Sequence, residues 1–182
     1  MLRETLALVT VLAGTPRGAI HPPDWPAVTA AARSYKQEPS DQNASRLYEL
    51  IPTRQLAIPE RPDASTAEML YSLVPTLERF MFYGDPWATR LAFRLRAVSD
   101  AAFGEDLASG LGSLATNRPE LFLRELQRSG GSCDPVISFD PDRAEQWLKA
   151  ERQLRLSRLG QPVPAELETK RSECLRLLKN NP

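Results

Sequence analysis

The sequence predicts an all-α protein built as stacked antiparallel helical pairs, a short α-solenoid-like array, with a C-terminal helical hairpin. Three observations carry this. Apolar residues recur at helical spacing, clearest at Trp87, Leu91, Leu95, Val98 and Ala102. Helical patterns of the same kind flank that stretch on both sides. Proline, glycine and short polar caps punctuate the chain where helices should start and stop, as at Asp85-Pro86, where the carboxylate can accept from the first turn and proline occupies the first helical position.

Composition sets the bounds. At 182 residues the chain fits one domain, or one domain with an appendage. A chain of this size hides roughly 70% of its unfolded surface. Its 42% hydrophobic and 25% charged residues are those of an ordinary globular protein. Lys plus Arg number 23 and Asp plus Glu number 23, so the net charge is zero and gives no long-range attraction to nucleic acid or anionic lipid. The balance is local too: residues 1–129 hold 14 basic and 15 acidic side chains, and residues 130–182 hold 9 and 8. With two cysteines, one histidine (His21) and no Cys-x-x-Cys, a structural zinc site lacks ligands, and neither a metal nor a cofactor is expected.

Residues 1–19 combine a short basic start, an apolar run over 6–13 and a small-residue exit, the parts of a secretory signal peptide. Glu4 and Arg17 fit that pattern poorly, so an amphipathic first helix is the alternative. No run reaches the ~20 apolar residues of a membrane span. Export would place the protein in the periplasm or outside the cell; without it the chain is cytoplasmic. His21 lies in the proline-broken segment 20–26, which reads as extended, and receives no role.

A core domain is expected over residues 20–129. Residues 27–38 make an alanine-rich helix that Pro39 ends, and Ser40 and Asp41 cap a second helix that stops at Pro52. The two form a helical hairpin. Residues 52–64 hold three prolines and read as a loop. Ser65 and Thr66 open the next helix, whose stripe is Met69, Leu70, Leu73, Leu77, Phe80 and Met81; Pro75 either bends it or divides it in two. Phe103-Gly104 reads as a turn before a helix over 105–116. Gly104, Gly110 and Gly112 weaken that helix, by about 1 kcal/mol for each interior glycine, and imply a close helix–helix approach. Asn117 caps a helix over 119–129, with the Glu120–Arg124 and Glu125–Arg128 pairs on its wet face.

Residues 130–139 begin Gly-Gly-Ser and read as a linker. The C-terminal hairpin, residues 140–179, is expected to pack on the core. Asp140-Pro141 repeats the Asp-Pro cap, and Trp147, Leu148, Leu154 and Leu159 supply the apolar contacts of its first helix. Arg152, Arg155 and Arg158 form a basic run that reads as a solvated face completing the helix dipole, not a nucleic-acid patch.

The short helices, Asp-Pro caps and Leu-Ala-Phe-Arg-Leu pattern of residues 65–129 are similar to HEAT- or armadillo-like repeats, with at most one or two degenerate units. The whole chain also resembles exported all-helical proteins of Gram-negative bacteria, a group that brings no activity with it. Stacked helical pairs make a curved surface, and the leading expectation is a non-catalytic binding or scaffold protein of the bacterial cell envelope that holds a protein or peptide partner on it. The candidate binding residues are Arg90 and Arg94, one turn apart and able to fork onto a carboxylate or phosphate, and Asp100. The plainer alternative pairs the two arginines with Asp85, Glu78 or Asp100. A second function class is a small hydrolase or metal-assisted enzyme using Asp100, Glu105 and Asp106. A third is a scaffold or assembly protein whose C-terminal hairpin docks onto a second copy or a partner. Cys133 and Cys174 can come together if that hairpin forms, closing a loop of about 40 residues worth roughly 3–4 kcal/mol in an oxidising compartment. The alternative is a free Cys133 and a buried, apolar Cys174.

Overall fold

The computed structural model describes residues 22–53, 56–57, 60–99, 101–140 and 142–181, with the backbone alone for Ala101. The candidate leader 1–19, His21 and Asp100 lie outside the described residues. The described chain is all-helical, a stack of neighbouring helices without a strand.

The first pair is α1, Trp25–Gln37, and α2, Asp41–Leu50. α1 starts earlier than its proline-broken sequence suggests. The Asp24 carboxylate accepts from the Ala27 N–H at 3.0 Å, and Pro26 falls in the first turn, where its missing donor costs nothing. Trp25 Nε1 donates to the Glu60 carbonyl at 2.9 Å, which ties this end to the loop. Ser40 caps α2 by accepting from the Asn43 N–H.

Pro75 divides the next pattern into α3, Ala64–Tyr71, and α4, Val74–Tyr83, where proline occupies the first turn of α4. The cap of α3 is Asp63, not Ser65 or Thr66: its Oδ1 accepts from the Thr66 N–H at 2.7 Å. Gly84 ends α4 with φ +88°, a left-handed turn that disfavours any side chain. α5, Pro86–Arg96, then begins as the sequence suggests, with Asp85 Oδ1 accepting from the N–H groups of Trp87 at 2.7 Å and Ala88 at 2.9 Å.

α5 occupies the centre of the stack and packs against α2, α4, α6 and α7. Ala88, Thr89, Leu91, Ala92, Phe93 and Leu95 are all buried, which is most of its circumference. α6, Ala101–Asn117, absorbs Phe103 and Gly104 into its first turns instead of turning there. Phe103 is buried, and its packing outweighs the helix cost of the glycine beside it. α7, Pro119–Ser129, follows with Arg118 at its cap position; Asn117 ends α6 and donates to the Ser113 carbonyl.

Residues 130–139 are packed rather than free. Asp134–Ile137 form a 3-10 turn seated on α6 and against the last helix, with Cys133, Pro135 and Val136 buried. Asp140 makes its own turn by accepting from the Asp142 N–H, and α8, Glu145–Leu159, starts after Ala144 without a side-chain cap. A 3-10 turn at Ala165–Leu167 leads into α9, Glu168–Asn180. α8 and α9 pack on each other; α8 also meets α6, and α9 meets α7.

One residue docks this C-terminal pair. Arg155 is fully buried on α8, against the expectation of a solvated basic face. Its Nη1 donates to the carbonyls of Pro135 (3.2 Å), Val136 (2.8 Å) and Ser138 (2.9 Å). Nε donates to Thr116 Oγ1 of α6 at 3.1 Å, and Nη2 pairs with Glu151 at 2.7 Å. The Phe139 ring lies 4.3 Å from the guanidinium carbon. Arg152 donates to the carbonyls of Leu178 and Asn181, closing the end of α9. The helix is therefore turned so that Trp147 and Leu154 face outward, 62% and 47% exposed.

Gly112 makes this docking sterically feasible. A Cβ there would lie 2.6 Å from the Pro135 carbonyl oxygen and 2.7 Å from Arg155 Nη1, both fixed atoms. At Gly110 a Cβ would first meet the flexible end of Met81, at 3.3 Å.

Two outcomes follow in urea denaturation. Gly112→Ala is expected to destabilise by about 1–3 kcal/mol, because overpacking outweighs the gain in helix propensity, whereas Gly110→Ala should be neutral or mildly stabilising. Arg155→Met is expected to cost about 3 kcal/mol or more, since several buried acceptors lose their donor together. An unchanged midpoint for Arg155→Met would mean that the C-terminal pair is held by apolar contact alone.

Candidate functional site

Arg90 and Arg94 stand one turn apart on α5, and neither has an acid three or four residues away on its own helix. Their partners must come from other elements. Asp85 is engaged in capping α5. Arg90 reaches α7, where Nε donates to Glu125 Oε2 at 2.8 Å and Nη2 to Oε1 at 3.3 Å. The fork accounts for the direction of the Arg90 pKa: the Glu125 hydrogen bond raises it, against a smaller opposing effect of desolvation. The guanidinium also lies 4.6 Å from the Trp87 ring centre.

Glu125 is the site residue that the sequence hid. Its pairing with Arg128 is present, with Arg128 Nη1 2.9 Å from Oε1 and 3.2 Å from Oε2, but the carboxylate is 2% exposed instead of lying on a wet face. α7 packs on both α5 and α6, which turns Glu125 inward where Arg90 can neutralise it. The sequence signal that could have found it is the absence of any acid three or four residues from Arg90 on its own helix.

Arg94 is held differently. Nε donates to the Tyr48 carbonyl of α2 at 3.4 Å, and the guanidinium lies 4.3 Å from the Tyr48 ring centre. Among the described residues no acceptor meets its Nη groups. Arg90, Arg94, Glu125 and Arg128 together line a small polar cavity of about 70 Å³ with Tyr48 and Thr53 at its edge.

A second, larger hollow opens beside the C-terminal end of α5. It measures about 390 Å³ and is lined mostly by apolar groups from the loop before α3, α3 itself and the start of α6, among them Leu70, Tyr71, Val98, Ala102 and Phe103. The Tyr71 and Phe103 rings meet edge to face, 5.7 Å apart, and the Tyr71 hydroxyl donates to Asp106 Oδ2 at 2.6 Å.

The carboxylates of the enzyme reading are placed as follows. Asp100 is outside the described residues, Glu105 is exposed and Asp106 is engaged by Tyr71. The carboxylate that senses Asp106 is Glu78 of α4, whose pKa is raised by burial first and by the Asp106 charge second. Among the described residues no group of three or more His, Cys, Asp or Glu is assembled to hold a metal ion. Nor is any helix among them long and apolar enough to cross a membrane.

Cys133 and Cys174 are joined as a disulfide, with Cα atoms 5.0 Å apart and a separation of 41 positions in sequence. Both are buried. The bond staples the segment before the 3-10 turn to the middle of α9, beside the Arg155 dock. Its loop length implies a contribution of roughly 3–4 kcal/mol through the unfolded state. Urea titration of the oxidised and the reduced protein checks this: reduction should lower stability by about that amount, and a coincident pair of curves would show that the bridge adds nothing.

No protein-family model, curated protein or solved structure matches this chain.

Proposed function

We propose that the protein is a non-catalytic binding or scaffold module of the bacterial cell envelope that holds a protein or peptide partner on the surface around α5. The observation that carries this reading is the apolar hollow of about 390 Å³ beside the end of α5. It is large enough for one or two apolar side chains and has few polar groups to direct chemistry. Its walls come from α3, the start of α6 and the turns that precede each of them; α3 packs on α1 and α6 packs on α4, α5 and α7, so an incoming side chain meets a largely preformed surface. The arginine-lined cavity on the same helix adds polar selectivity. The buried disulfide supports an oxidising compartment and hence the envelope. The short helical pairs support a HEAT- or armadillo-like use of the stack, in which helices present a surface and contribute no reacting group.

The test is a selection from a random peptide library against the immobilised, oxidised protein. Ala102 is exposed at the hollow, so Ala102→Trp fills it without touching the core. Enriched peptides are expected to share an apolar anchor and to bind Ala102→Trp about tenfold more weakly, the loss of one buried side chain. Failure to enrich any sequence on the unmodified protein over Ala102→Trp would sink the reading.

A further inference from the structure

We propose that the cavity formed by Arg90, Arg94 and Arg128 recognises a single carboxylate on an acidic peptide partner. This rests on the reading of the chain as a binding module and specifies the partner's chemistry. The first ground is charge. Three arginines line the cavity, and the one acidic residue among the lining, Glu125, is already engaged on both oxygens by Arg90 and Arg128. The cluster is therefore left with surplus positive charge, in a protein whose overall charge is zero.

The second ground is geometry. Arg94 is fixed from behind, by its Nε hydrogen bond to the Tyr48 carbonyl and by the Tyr48 ring beneath it. Arg94 lines the cavity, and its Nη groups have no protein acceptor among the described residues. A guanidinium held in this way has little rotamer entropy left to lose and offers donors whose spacing matches a planar carboxylate. The third ground is selectivity. A cavity of about 70 Å³ admits one small group, and the buried Glu125 charge repels a dianion more strongly than a monoanion. Carboxylate is thereby favoured over phosphate.

The experiment follows the arginine Nε–Hε signals of ¹⁵N-labelled full-length protein by NMR during titration with acetate, acetamide and inorganic phosphate. Acetate is expected to shift the Arg94 signal saturably, with a Kd on the order of millimolar for one ion-paired group. Acetamide should leave it in place, and phosphate should bind more weakly. Two further probes, N-acetylalanine and N-acetylglutamate α-amide, compare a C-terminal with a side-chain carboxylate; tighter binding of either identifies the source. Arg94→Gln should weaken acetate at least tenfold, and Arg94→Lys should restore only part of the loss. In Thr53→Glu, an exposed substitution at the rim, the new side chain should compete and abolish the acetate response even if the Arg94 variants fold poorly.

Equal shifts with acetamide, tighter binding of phosphate, no saturation with acetate, or undiminished binding by Arg94→Gln and Thr53→Glu would each overturn the proposal. These probes are single functional groups and need no peptide. A failed titration beside a successful peptide selection therefore removes the carboxylate and leaves the hollow, and the reverse removes the hollow and leaves the carboxylate site.

Discussion

A buried guanidinium joins three parts of this fold that would otherwise have little reason to stay together. α8 has a weak apolar stripe, residues 130–139 contain two glycines and two serines, and α6 carries a glycine where a larger side chain would be expected. Arg155 turns these into one interlock. Its five N–H donors suit a ring of acceptors that no other side chain could satisfy at once: three carbonyls of the 3-10 turn region, the Thr116 hydroxyl and the Glu151 carboxylate. Desolvation pulls the Arg155 pKa down, with Glu151 opposing it, yet a guanidinium stays charged at any ordinary pH. The lock is thus insensitive to pH in the range where proteins function. It does demand closeness, and that demand fixes Gly112.

The disulfide and the arginine act on the same junction by different means. Arg155 satisfies polar groups in the folded state, where leaving them buried and unpaired would be costly. The Cys133–Cys174 bond acts largely on the unfolded chain, whose freedom it reduces. Together they let a glycine- and serine-containing segment of ten residues serve as a wall between α6 and α9 instead of a tether. Among the described residues every buried side-chain nitrogen and oxygen has a hydrogen-bond partner, so the polar content of this junction is fully accounted for.

Around α5 the same physics takes another form. A helix packed on four sides has little surface left for charge, and its arginines emerge only at the seams between neighbours. Arg90 leaves through the seam with α7 and meets Glu125; Arg94 leaves through the seam with α2 and rests on Tyr48. Each is held by aromatic and polar contacts beyond its own helix. The apolar hollow opens where α5 ends and Val98 passes into the start of α6, so the central helix places polar and apolar features side by side.

Local rules in the sequence determined the helical class, the Asp85-Pro86 start of α5, an interruption at Pro75 and the α1–α2 hairpin. Each depends on residues within one turn of each other, where capping, proline geometry and apolar periodicity act. The feasibility of a Cys133–Cys174 bridge was legible because it depends only on chain length and the return of a hairpin. What required tertiary structure was the side on which each polar residue falls. Arg155 shares the inward stripe of Leu148 and Leu159, at seven- and four-residue spacing, but its charge made it read as solvated until a ring of acceptors from other segments appeared around it. Glu125 read as one half of a surface pair with Arg128 because the second arginine comes from 35 residues away. Local spacing states which groups share a helix face; which of those faces is buried, and against what charge, is decided only when distant helices meet.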